Sequence, residues 1–448
     1  MSHVLHRNIS IKVPTVKSAE GNYLIDDTGK KYLDASGGAA VSCLGHTNKR
    51  VINAIKDQLD KVSFAHTGVF TNEPAEELAS YLIENAPQGF GNGRAMFLGS
   101  GSEAMEAALN LARQYHLERG DHKRSKIIAR DKSYHGNTLA ALATGGHKQR
   151  QEPFSPLLID VAHIPPCYKY RYKKEEESEQ EFGLRMANTL EEEIITQGPE
   201  NVAAFVVEPV SGASLGAEPA VKGYFKRIRE ICDQYGVLLI ADEVMCGMGR
   251  TGYLFAMEAE DTCPDIITIA KGLGAGYQPI ASVMASEKVI KAIEDGSGNL
   301  WNGHTYMSHA IACAGALAVL KVIEEDQLLG AVRLQGEKLK KMLTDTFANH
   351  PNIGDIRGRG LFWGLEIVKD KKTKQPFPAE LNLAGKIKSN ILDRGMLSYP
   401  SQGCVDGKSG DHILLAPPYT VSDEELDIII DITQKSLQSQ LDKIKDHD

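Results

Sequence analysis

The chain lacks several features that would settle its class at once. Its seven cysteines (Cys43, Cys167, Cys232, Cys246, Cys263, Cys313 and Cys404) include no CxxC pair, and an odd number cannot close into a complete set of intramolecular bridges. Reduced thiols and a cytosolic setting are therefore expected. No stretch approaches the roughly eighteen uninterrupted apolar residues of a membrane span, and the opening MSHVLHRNISIKVP has no apolar core of signal-peptide length. No membrane partner is expected. The formal net charge is -9, and no basic stripe is present that could neutralise a phosphate backbone, which argues against nucleic acid and for a small-molecule ligand. Internal repeats and low-complexity tracts are absent as well.

What is present is an ordinary globular composition, 42% hydrophobic and 24% charged, with aliphatic residues spread along all 448 positions. That length exceeds what one hydrophobic core usually serves, so two or three packed units are expected. Residues 21–35, GNYLIDDTGKKYLDA, alternate apolar and polar positions around Asp27-Thr28-Gly29 and predict a hairpin. From about 50 to 320, apolar runs at 95–98, 126–129, 203–208, 237–242 and 265–270 read as buried strands. Helical spacing at 102–115, 187–196 and 221–235 lies between them. This rhythm predicts an α/β layer on a mostly parallel sheet. The charge-dense stretch Tyr168–Glu181 reads as a solvated loop or lid. After about 320 the pattern predicts a long helix, strands at 360–368 and 412–416, and a terminal helix opening at Ser422. The expected division is 1–55 as the N-terminal segment of a small domain, 56–320 as a large domain and 321–448 as the C-terminal small domain.

Three features carry chemistry. Asp242 ends the apolar run GVLLIADEV, at the side where ligands of open α/β sheets gather. It could be a turn cap, or the metal-binding acid of a nucleotide hydrolase. The latter needs a GxxxxGK(S/T) loop between a strand and a helix, and the nearest match, starting at Gly403, is one residue short and is followed by a strand. No metal is expected. Lys271 ends a second apolar strand before Gly272, Gly274 and Gly276. It could snorkel to water, or, desolvated, serve as the amine nucleophile of an imine-forming enzyme. In FLGSGSEAMEAALNLAR a strand and a tight turn lead into a helix, so Ser100, Gly101 and Ser102 should hold a phosphate. The spacing Gly99, Gly101, Ala104 also satisfies a dinucleotide fingerprint, but the acid expected some twenty residues on is missing; Asp131 comes later.

Taken in order, these features resemble the class III (omega) aminotransferases of the type I pyridoxal-phosphate fold, over nearly the whole chain from the hairpin to APPYTVSDEELD at 416–427. The resemblance implies an α/β large domain with a mostly parallel central sheet, and a smaller α+β domain built from both chain ends. It implies pyridoxal 5'-phosphate as cofactor. GSGSEA matches the phosphate cup, and SYHG matches the strip in which Tyr134 stacks on the pyridine face beside His135 and Gly136. VVEPVSG gives Glu208 as the acid near the ring hydroxyl. ADEVMCGMGRTG gives Asp242 for the pyridine nitrogen and Val244 for the opposite ring face, and TIAKG gives Lys271 for the covalent link. In NGHTYMSH, Thr305 is the residue that reaches the phosphate of the partner subunit, which implies a homodimer with shared active sites. RGRGLFWGLE at 357–366 is a family segment read as support for the C-terminal unit. Catalysis would fall to Lys271, Asp242 and Tyr134.

Members that use glutamate and 2-oxoglutarate carry a glutamate five positions after the EP glutamate and an arginine two positions before the C-terminal Ala-Pro. Here those places hold Ala213 and Leu414. Pyruvate-using omega-transaminases share the alanine. Some of them place a mobile arginine where this chain has Gly407, with Lys408 beside it as a less planar substitute. The resemblance thus implies a cytoplasmic transaminase that moves an amino group from an omega-amino acid or amine to a 2-oxo acid, pyruvate foremost, by a ping-pong mechanism. The same fold and lysine also serve aminomutases, decarboxylases and racemases.

Overall fold

The computed structural model describes residues 2–445. Its centre is a seven-stranded sheet in the order Arg94–Leu98, Ala281–Ala285, Ile266–Ile269, Leu238–Asp242, Val202–Val207, Lys126–Arg130, Ala162–Ile164. From Ile266–Ile269 onward in that order, neighbouring strands pair in parallel. Every residue of Val202–Val207 and Leu238–Asp242 is buried, as a sheet covered on both faces requires. Side chains alternate accordingly. Leu238 and Ile240 share a core with Ala104 and Ala108 of the helix Gly101–Glu118, whereas Leu239 and Ala241 share one with Phe182, Leu190 and Phe225 on the other face. Each fully buried leucine or isoleucine contributes ~1.5–3 kcal/mol, so the sheet is a stiff support for whatever its carboxyl ends carry.

The strand Ala281–Ala285 runs antiparallel to both of its neighbours. Its connection from Ile269 contains only the short 3-10 turn Lys271–Leu273, and a parallel return would need a longer crossover. The N-terminal hairpin pairs Tyr23–Asp26 with Lys31–Asp34 around Gly29, whose φ of 87° suits glycine. Met396–Leu397 then joins Lys31–Asp34 in parallel, so the two ends of the chain share one sheet. The long helix expected after 320 is two helices, Ala310–Glu325 and Leu328–Phe347, separated at Gln327, which adopts a left-handed φ of 53°. The C-terminal sheet is antiparallel, in the order Ile353–Arg359, Phe362–Ile367, Asp411–Leu415, Tyr399–Gln402. Ser422 and Glu425 cap the terminal helix reciprocally.

Tyr168–Glu181 departs from the solvated loop expected of it. Its acidic end is exposed, but Tyr168 is fully buried and its hydroxyl bonds Glu366. Arg171 also pairs with Glu366, and Arg357 bridges Glu366, Asp355 and Glu218. Arg357 further donates to the carbonyls of Leu215 and Gly216, so the segment expected to support the C-terminal unit also grips the loop that carries Ala213. No helix among the described residues is long and apolar enough to cross a membrane.

Candidate active site

Register sets the site. Ala241 pairs with Val207, and Asp242 with Thr268, so Glu208 and Asp242 leave the sheet side by side, with Lys271 just past the next strand. All three line a cavity of about 290 Å³, together with Ser100–Ser102, Tyr134, His135 and Val244. Of the residues expected from the sequence, only Thr305 lies elsewhere. It is exposed and lines an adjacent cavity that shares Gly99 and Gln278–Ile280 with the first.

The Asp242 carboxylate is held from several directions. Oδ1 accepts the Val244 N–H at 3.0 Å and the Thr268 hydroxyl at 3.3 Å, and Oδ2 lies 2.6 Å from His135 Nδ1. His135 Nε2 is buried without a protein partner. Glu208 Oε1 accepts the Gly212 N–H at 3.0 Å, while Oε2 is buried and unpartnered. Burial, together with Asp242, raises the proton affinity of Glu208 against the pull of His135 and Arg130. Burial likewise pushes the Lys271 ammonium below its usual value, opposed by Asp242 and Glu208. Lys271 also sits in a left-handed conformation, φ 46°, at the start of its turn.

The other wall is a helix terminus. Ser100 caps the helix Gly101–Glu118 by accepting the Glu103 N–H, and Glu103 reaches back to the Gly99 N–H at 2.7 Å. Among the described residues, the Gly101 and Ser102 N–H groups find no acceptor, which leaves an anion cradle at the positive end of the helix dipole. A side chain at Gly101 would crowd the site, since its Cβ would lie 2.9 Å from Val244 Cγ1 and force Val244 to shift. The Ser102 hydroxyl is tied to Asn137, donating to its Oδ1 at 3.0 Å and accepting its N–H at 3.1 Å.

Two groups near the cavity were not singled out from the sequence. Arg130 is buried and donates to the Glu208 carbonyl at 2.6 Å and to the Ser211 hydroxyl at 2.9 Å, which fixes the turn after Glu208. The signal was there, a basic residue ending the apolar strand KIIAR. Arg150 lies with its guanidinium carbon 4.8 Å from the Tyr134 ring centre. Of the two positions at which the resemblance expects a glutamate and arginine pair, Leu414 is fully buried among apolar side chains including Phe362 and Ala416, and Ala213 lines the cavity. Lys408 is exposed on the 403–410 turn and does not line it.

An amine-bearing lysine, a helix-start anion cradle, a fixed carboxylate and two orphaned buried polar atoms around one cavity define a pyridoxal-phosphate transferase site of the type I fold. Solved structures agree. The chain superposes with TM-score 0.91 on a thermostable (S)-enantioselective omega-transaminase from Thermomicrobium roseum, at 33% identity, covering 98% of this chain and 96% of that one. It matches the omega-transaminase of Pseudomonas jessenii in complex with PMP with TM-score 0.90 and 33% identity, over 97% and 94% of the two chains. An uncharacterised aminotransferase of Schizosaccharomyces pombe is 45% identical over 439 residues, 98% of this chain and 95% of its own. The class III aminotransferase family model matches residues 5–437, and the chain belongs to that family. It is an aminotransferase, and its cofactor is pyridoxal 5'-phosphate.

Proposed function

We propose that the protein transfers an amino group from an omega-amino acid or amine to a 2-oxo acid, pyruvate foremost, in two half-reactions of a ping-pong cycle. The observation that carries this reading is the convergence of Lys271, Asp242 and Glu208 from adjacent strand ends on a cavity floored by the Ser100–Ser102 cradle. When bound, the cofactor supplies an electron sink for the carbanion formed at the substrate carbon. The chain's residues do the rest. Ser100, Gly101 and Ser102 would hold the phosphate. Asp242, fixed by His135, would keep the ring nitrogen protonated, and the free oxygen of Glu208 would face the ring hydroxyl. Tyr134 and Val244 would enclose the two ring faces. Lys271 would carry the cofactor covalently and, once displaced by the substrate amine, move a proton with an amine whose proton affinity burial has weakened.

Pyruvate is favoured because the positions of the glutamate and arginine pair hold Ala213 and the buried Leu414. The omega-transaminase neighbours support an omega-amino acid or amine as donor. Thr305 would bind the phosphate of a second subunit in a cytosolic homodimer with shared sites. Its position outside the Lys271 cavity of its own chain fits this reading. The division at about 55 and 320 is part of the same reading, supported by the sheet that joins both chain ends. The test is a panel of amines and omega-amino acids against pyruvate and 2-oxoglutarate, read as loss of the cofactor aldehyde's absorbance and its recovery on adding acceptor. Recovery with 2-oxoglutarate alone would overturn the acceptor assignment.

A further inference from the structure

A substrate carboxylate entering this cavity needs a cationic partner, and the residues around it narrow the choice. Among the described residues no arginine lines the cavity itself, and the place of the family arginine is filled by buried Leu414. Nearby buried arginines are already engaged. Arg130 holds the Glu208 carbonyl and Ser211, Arg250 holds the carbonyls of Leu361 and Pro417, and Arg357 is paired with Glu366.

Arg150 differs from all of these. Its guanidinium sits over Tyr134, which lines the cavity, yet among the described residues its side chain has no carboxylate or hydrogen-bond partner. Arg150 is exposed, and a guanidinium in contact with an aromatic ring but without a hydrogen-bond partner keeps its N–H groups free to grip a carboxylate in bidentate fashion. Its backbone is anchored. The neighbouring Gln151 amide donates to the carbonyls of Leu142 at 2.9 Å, Ala143 at 3.1 Å and Gly145, and the Arg150 N–H donates to His147 at 2.9 Å. Burial, with Arg150 nearby, lowers the proton affinity of His147.

We propose that Arg150 is the residue that binds the substrate carboxylate, that of the 2-oxo acid acceptor or the distal one of an omega-amino acid donor. This rests on the transaminase reading above. The Tyr134 ring would orient the guanidinium, and bidentate pairing would select carboxylated substrates over neutral ones of the same length.

The test uses the holoenzyme and the variants Arg150→Gln and Arg150→Lys. Four substrates separate the two sources of carboxylate: pyruvate against propanal as acceptors, and an omega-amino acid against the alkylamine of equal length as donors. Arg150→Gln is expected to lose on the order of tenfold or more in kcat/KM, through KM, with whichever carboxylated substrates the arginine serves. The neutral partners should change by less than about twofold, and Arg150→Lys should fall between. Equal losses with charged and neutral substrates, or none with either, would overturn the assignment. A second readout does not depend on turnover. Propanoate should perturb the cofactor absorbance of the wild type with an affinity that Arg150→Gln loses and that propanamide never shows. If the wild type transaminates none of the four substrates, the proposed function fails, while propanoate binding still decides for or against Arg150.

Discussion

At the scale of single residues, Lys271 joins two unfavourable conditions. Its backbone is left-handed, which costs a non-glycine residue ~1–2 kcal/mol, and its ammonium is enclosed where burial weakens its hold on a proton. Together they aim a readily freed amine at the cavity. Lys271→Ala should fold, retain cofactor only by non-covalent contacts and show no turnover. Borohydride fixation of cofactor at another single lysine would contradict the assignment. Asp242→Asn keeps the side-chain shape but removes the charge facing the ring nitrogen. Amine transfer in single-turnover measurements should fall by on the order of a hundredfold or more, and near wild-type rates at saturating cofactor would remove Asp242 from this role. Lys271 and Asp242 were legible in the sequence because each stands at the end of an apolar run, whereas Glu208 was implied only by the resemblance. Arg130 obeys the same rule but was passed over, since its acceptors come from a distant segment. Arg150 stands in HKQRQ, which reads as ordinary polar surface until the fold lays it over Tyr134.

Secondary-structure elements were legible where one physical signal dominated. Continuous apolar runs marked the parallel strands apart from Ala162–Ile164, whose three residues are too short a run to stand out, and the Asp-Thr-Gly turn marked the hairpin. Ile353–Arg359 was missed because Asp355 and Arg357 interrupt its alternation, and those charges answer partners that only the tertiary structure supplies. The hairpin offers a test of its own. Asp26 accepts the N–H groups of Thr28 and Lys30, the Thr28 hydroxyl at 2.6 Å and the Tyr32 hydroxyl at 2.8 Å. The Thr28 hydroxyl foremost, with these other bonds, holds its carboxyl down to about 2, against an ordinary 3.8. A depressed carboxyl stabilises the fold above its unfolded value and loses that contribution as pH falls through the folded one. The unfolding midpoint of Asp26→Asn should therefore lie below that of the wild type near neutrality, and the gap should close as pH falls from about 3.8 toward 2. A gap that is constant with pH would show that the charge is not what Asp26 contributes.

At the scale of the whole molecule, the position of Thr305 outside the Lys271 cavity of its own chain makes the composite site testable. Inactive Lys271→Ala chains mixed with Thr305→Ala chains, the latter weakened in cofactor affinity, should give heterodimers with one doubly damaged site and one intact site. Activity at limiting cofactor should then rise as subunits exchange. No rise, with exchange verified independently, would mean that Thr305 serves its own subunit. The fold as a whole was readable because its βαβ rhythm is local, while the joining of the two chain ends was implied only by resemblance. That joining has a consequence for synthesis. The hairpin leaves the ribosome long before Met396–Leu397 is made, so Lys31–Asp34 must wait for its parallel neighbour while the whole central sheet is synthesised in between. Domains tend to fold as they emerge, so the central sheet can close around its helices while the hairpin waits with one edge open. An open strand edge is a template for pairing with other chains, so the nascent protein is most exposed to misassembly during the interval between making its first sheet residues and its last.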